Sequence, residues 1–247
     1  MGKLVASLVF FAIAVGVVSN LTASAQAPGT QTAASGVDFS GVYAAVVFVA
    51  VAAVFEPDVY PFTVEAERAF NAYDPLVAAP NQADDCTAVL MPGILWSNDP
   101  MQIVQEDGKI VMRFERGNTT RSIPMNGAPP SPDQPHTELG YSVGHWAGDV
   151  LTIETTHMTA DVIRNNRGYP ISREARITER YWREPGETDL QMELLVDDPT
   201  NYTQTVTLGR EWIWSPDEHL QTYECVSLGT RDSEPDIDEL ARMLEEL

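Results

Sequence analysis

The stretch Tyr141 to His157, YSVGHWAGDVLTIETTH, constrains this chain more than any other. Two arms rich in β-branched and aromatic residues flank Ala147-Gly148-Asp149, a pattern that reads as an antiparallel hairpin. Its register has two readings. A two-residue turn at Ala147-Gly148 pairs Tyr141 with Glu154, whereas a three-residue turn including Asp149 pairs Val143 with Ile153 and His145 with Leu151. The second aligns apolar side chains and is preferred; it sets Glu154 on the face opposite Leu151 and Ile153.

The same alternating style recurs on both sides. Upstream, Asp107-Gly108 joins Gln102-Ile103-Val104-Gln105 to the run from Lys109 to Phe114, and Asp-Gly between such arms is the strongest short hairpin signal. Thr119 to Met125 follows as a further strand. Asn126 to Pro135, rich in Pro, Gly, Ser and Asp, reads as a surface loop. After a polar connection at Asn165-Asn166-Arg167-Gly168, four more segments read as strands: Arg173 to Arg183, Asp189 to Val196, Tyr202 to Trp214 and His219 to Val226. Pro185-Gly186, Asp197-Asp198-Pro199 and Ser215-Pro216-Asp217 separate them. Regular strands with brief turns and little helix predict a mainly β domain, either an up-and-down antiparallel barrel or a strongly curved sheet.

The ends differ in character. Lys3, the apolar run Leu4 to Val18 and the A-x-A sequence Ala23-Ser24-Ala25 predict a secretory signal peptide over residues 1–25, hence a periplasmic or secreted protein. Residues 26–36 read as a small-residue flexible leader, and 37–230 as the single β domain. Within it, Val42 to Phe55 is too short for the ~20 residues of a spanning helix and reads as a buried strand or core helix, so no integral membrane span is expected in the mature chain. Thr63 before Glu65-Ala66-Glu67 signals a short capped helix ended by Asp74-Pro75. In residues 231–247, Ile237, Leu240, Leu244 and Leu247 recur at helical spacing among acids, predicting an amphipathic C-terminal helix packed on the domain.

Charge narrows the partners. With 36 acidic and 15 basic residues the net charge is -21, which repels phosphate backbones and disfavours nucleic acid. Two cysteines remain after export, Cys86 and Cys225, and an oxidising compartment would allow them to bridge. A loop of ~140 residues would then be closed, worth at most ~4 to 5 kcal/mol by chain entropy.

Several of these segments carry a resemblance. YSVGHWAGDVLTIETT, ITERYWRE, DDPTNYTQTVT and the closing YEC, with PFTVEAERAFNAYDP and the region around Cys86 before them, resemble an uncharacterised family of exported bacterial proteins. The likeness covers Pro61 to Cys225. It implies a fold similar to lipocalin or calycin-like barrels and an exported location, and it carries over no catalytic residues.

Chemistry must therefore be read from the residues. His136, His145, His157 and His219 show neither H-x-H nor H-E-x-x-H spacing, so no metal site is expected, although the return of the second hairpin arm could bring His157 toward His136. No G-x-S-x-G elbow, P-loop or dinucleotide fingerprint is present, and no cofactor is expected. Arg121, Glu154, Arg180 and Glu193 sit in strand-like surroundings, where every second residue points inward. Facing in, they must pair with one another or with a ligand; facing out, they form ordinary cross-strand ion pairs worth roughly 0.2 to 1 kcal/mol. Among the aromatics, Tyr181 and Trp182 cannot both face in.

Three functions fit this reading. The leading one is an exported barrel that binds a small apolar or aromatic molecule in its interior, with Arg121, Arg180, Tyr181, Glu193 and Tyr202 as ligand-binding candidates. The second is a cofactor-independent isomerase, lyase or dehydratase with Glu154, His157 and Tyr141 as acid–base groups and Arg121 as an anchor. The third is a structural envelope protein whose barrel is filled by its own side chains.

Overall fold

The computed structural model describes residues 37–45, 54–55, 60–74, 90–163 and 168–224. The segments expected to form a signal peptide, a leader and a C-terminal helix, and both cysteines, lie outside these residues. Twelve strands form among the described residues: β1 (Gly41–Ala45), β2 (Val54–Phe55), β3 (Met101–Glu106), β4 (Lys109–Phe114), β5 (Thr119–Pro124), β6 (Tyr141–Ala147), β7 (Val150–Thr156), β8 (Asp161–Ile163), β9 (Tyr169–Ile171), β10 (Arg176–Trp182), β11 (Leu190–Asp197) and β12 (Val206–Trp214). One α-helix, α1 (Val64–Ala72), has Thr63 as N-cap, its hydroxyl accepting from the Ala66 N–H at 3.3 Å as the sequence predicts.

The main sheet runs β5-β4-β3-β1-β12-β11-β10-β7-β6, with β2 beside β12, and every pairing in it is antiparallel. Followed around, this path keeps chain order and returns nearly on itself, making a mainly β, nearly closed barrel-like sheet. Eight successive antiparallel pairings along these nine strands leave β5 and β6 pointing the same way. A hairpin cannot join two such strands, and the long segment 125–140 connects them instead. Side chains close this seam: the Arg121 guanidinium on β5 donates to the Ser142 hydroxyl on β6 at 3.2 Å. Gly144 lets β6 come close, since a Cβ there would stand 2.5 Å from Met125 Sδ and 3.1 Å from Ile123 Cγ2.

Alternation sets the core. Ile177, Glu179 and Tyr181 on β10, Leu190 and Leu194 on β11, Leu151 and Ile153 on β7, and Met101 and Ile103 on β3 are all completely buried. Trp212, Tyr43 and Tyr181 are the largest side chains with no exposed surface among the described residues. Trp182 takes the outer face opposite Tyr181, as the neighbour rule requires.

Three details depart from the sequence expectation. The central hairpin turns at Gly148-Asp149, so Val143 faces Glu154 and His145 faces Thr152, a register offset from both readings. Gly148 adopts a φ of 63°, and this left-handed position is what glycine allows the two-residue turn. His219 to Val226 forms no strand over its described residues 219–224. Its backbone is met by side chains instead: Tyr223 N–H donates to Asn118 Oδ1 at 3.0 Å, and Gln221 N–H to Glu115 Oε2 at 2.9 Å. Finally, the small sheet β8–β9 was not foreseen; Tyr169 on β9 stacks on Tyr60 at 4.3 Å and on Phe70 of α1 at 5.2 Å.

Candidate functional site

The charged residues that the sequence singles out go to three different places. Arg121 points inward and grips Glu179, its Nη2 donating to Oε1 at 2.6 Å and its Nη1 to Oε2 at 3.0 Å. Ser142 and Thr155 hydroxyls take further bonds from Nη2 at 3.2 Å each, and the Tyr181 hydroxyl donates to Glu179 Oε2 at 2.7 Å. Burial is the largest influence and pushes the Arg121 value down, but the charge and hydrogen bonds of Glu179, with Tyr181, together outweigh it and the net shift is upward. Tyr181 is raised well above its ordinary value, first by burial and then by the Glu179 charge. The Arg121 and Glu179 side chains are 2 % and 0 % exposed, so the pair presents almost no surface to solvent.

Arg180 and Glu193 face outward. They are register partners on β10 and β11 and pair at 2.7 Å, both substantially exposed. Tyr202 stands elsewhere again: 4 % exposed, it stacks against Phe62 and donates to the Pro170 carbonyl at 2.9 Å. Burial, then the Asp198 charge, raises its pKa. The five expected ligand-binding residues therefore do not form one site, and Arg121 does not join the acid–base group.

Glu154, His157 and Tyr141 do come together, on the outer face. They line a cleft of about 570 Å³, in the size range of small-molecule sites, between the β6–β7 hairpin and the connection 125–140. The Tyr141 hydroxyl donates to the Ala128 carbonyl at 3.3 Å and ties that connection over the strands. Pro129, Pro130 and Val143 supply apolar wall. Arg173, Glu174 and Arg176, from the approach to β10, complete the polar side. The expected strand Arg173 to Arg183 in fact begins at Arg176, so Arg173 and Glu174 lie ahead of it, where alternation does not set the direction of a side chain.

Two imidazoles form the centre. His136 and His157 stand with ring centroids 5.2 Å apart and planes tilted by 44°. His136 Nδ1 lies 2.7 Å from the Met158 carbonyl. A carbonyl can only accept, so Nδ1 carries the proton and Nε2 of the neutral ring is an acceptor. His157 lies just past β7 with a φ of 58°, a left-handed conformation histidine adopts more readily than most residues. Its Nδ1 is 2.9 Å from Thr156 Oγ1. The backbone between the two is pinned by Thr137 N–H donating to the His157 carbonyl at 2.9 Å and Thr159 N–H to the Thr137 carbonyl at 3.0 Å.

The charges in this cleft are unevenly matched. Arg176 stands 4.0 Å from Glu154 with both side chains about half exposed, a weak contact in solvent. Arg173 is exposed and has no carboxylate within ion-pair distance among the described residues. On a chain of net charge -21, this puts an uncommitted cation beside two imidazoles and an apolar wall.

No family model matches the chain, and no curated protein matches it. No described helix is long and apolar enough to cross a membrane.

Proposed function

We propose that the protein is an exported small-molecule-binding protein whose site is the outer cleft around His136 and His157. Export rests on the N-terminal pattern of Lys3, the Leu4 to Val18 run and Ala23-Ser24-Ala25. The lipocalin-like kinship rests on the resemblance noted from Pro61 to Cys225. The ligand class follows from the lining: an anionic head for Arg173 and the imidazole edges, and an apolar or aromatic body for Pro129, Pro130 and Val143. What favours the cleft over the interior is that the described inward-facing side chains around Arg121 and Glu179 have essentially no accessible surface.

The observation that carries this reading is the convergence of His136, His157, Tyr141 and Arg173 in one cleft from the connection 125–140, the β6–β7 hairpin and the approach to β10. Native mass spectrometry of protein purified from its own host tests it. A retained small anionic adduct, lost in Arg173→Ala, is the expected result; protein free of adduct, with no thermal shift across a panel of aromatic carboxylates, removes the proposal.

A second reading, the cofactor-independent isomerase, lyase or dehydratase, is favoured by Glu154, His157 and Tyr141 sharing that cleft. Glu154 would abstract a proton and an imidazole return it, with Arg173 in place of Arg121 as the anchor. Unchanged turnover in a folded Glu154→Gln variant removes Glu154 from that role.

A further inference from the structure

We infer that His136 and His157 form a two-histidine site for a divalent transition-metal ion such as Zn(II). Imidazoles bound to one ion at about 2.0 to 2.1 Å, with an angle between right and tetrahedral, have ring centroids separated by about 4.5 to 5.2 Å. The observed 5.2 Å is at the tetrahedral end of that range. Packing alone does not require this spacing, because both rings are only half-buried in an open cleft.

The surroundings support ligation. A metal-binding histidine ordinarily offers one ring nitrogen to the ion while an oxygen holds the other. Here Nδ1 of His136 is held by the Met158 carbonyl at 2.7 Å and Nδ1 of His157 lies 2.9 Å from the Thr156 hydroxyl. Both Nε2 atoms are left for a ligand. Neutral imidazole suits zinc, copper and nickel better than calcium or magnesium, which prefer oxygen. The chain's net charge of -21 raises the local concentration of any divalent cation.

No group of three His, Cys, Asp or Glu side chains suited to a metal occurs among the described residues. The ion would therefore keep at least two positions for water or for an anionic group held by Arg173. This inference rests on the outer cleft being open to solutes, as the functional proposal does, but it needs no organic ligand.

Titration of the full mature chain with Zn(II), in a non-coordinating buffer free of organic anions, tests it. Calorimetry should give one site per chain, and the ring C–H resonances of His136 and His157 should shift together in the wild-type protein. His136→Ala and His157→Ala should each weaken the site at least about tenfold, while His145→Ala, on the same outer face, leaves it intact. Arg173→Ala removes a cation from beside the ion and should leave Zn(II) binding no weaker while abolishing the anionic adduct, which separates failure of one proposal from failure of the other. No saturable uptake, or uptake indifferent to both histidines, overturns the metal site.

Discussion

Arg121 and Glu179 lie 58 residues apart in the chain and meet as a doubly hydrogen-bonded ion pair, with neither side chain more than 2 % exposed. The pair reaches across the seam where β5 and β6 fail to hydrogen-bond, and the same guanidinium holds Ser142 and Thr155. A buried charge without its partner is strongly unfavourable, so Arg121→Met and Glu179→Gln should each lower stability by about 3 to 5 kcal/mol. Urea unfolding of the single variants and of the double variant checks this. The double should cost clearly less than the sum, because it leaves no orphaned charge.

The outer pair behaves oppositely. Arg180 and Glu193 sit at a similar distance, 2.7 Å, but in solvent, where screening and side-chain entropy cancel most of the attraction. Arg180→Ala should stay within about 0.5 kcal/mol of wild type in the same urea series. A loss comparable to that of Arg121→Met would mean that the exposed pair is coupled to the core.

Alkaline stability follows from the tyrosines. Tyr181 and Tyr202 both have raised values, chiefly through burial. The unfolded chain releases these protons near pH 10 while the folded one retains them, so above that pH the unfolded state binds fewer protons. Their contribution is complete below about pH 10 and is lost progressively as pH rises beyond it. Phenolate absorbance should therefore show Tyr181 and Tyr202, with Tyr43 also raised by burial, ionising late, and Tyr202→Phe should flatten the fall in stability above pH 10.

Gly140 fixes the entry into β6 and hence the cleft's edge. Its φ is 68°, and a Cβ there would stand 2.5 Å from the Thr156 carbonyl oxygen, a backbone atom that cannot swing aside. Gly140→Ala should cost about 1 to 3 kcal/mol. It should also shift the ring resonances of His157, one residue beyond Thr156, where a purely remote destabilisation would leave them in place.

Local chemistry was readable from the sequence where it involves near neighbours. Asp107-Gly108 gave its hairpin, Thr63 its helix cap, and the parity of Leu151 and Ile153 put Glu154 on the opposite, outer face. What depends on how strands curve past one another was not readable. The hairpin register missed because Gly148-Asp149 can turn in two residues, a choice set by twist rather than by apolar matching. Glu179 was overlooked as the partner of Arg121, although it alternates with Ile177 and Tyr181 and that spacing was its available signal. His136 and His157 were visible only as a possible approach, because the connection 125–140 that brings them together has no periodicity to follow.

The outer cleft as a ligand site is the central claim, and native mass spectrometry of wild-type protein beside Arg173→Ala, both purified from the native host, tests it most directly. The account predicts a small anionic adduct on the wild type that is absent from the variant. An adduct that persists in Arg173→Ala and in His136→Ala but disappears when Arg121 is replaced would contradict it and return the site to the interior.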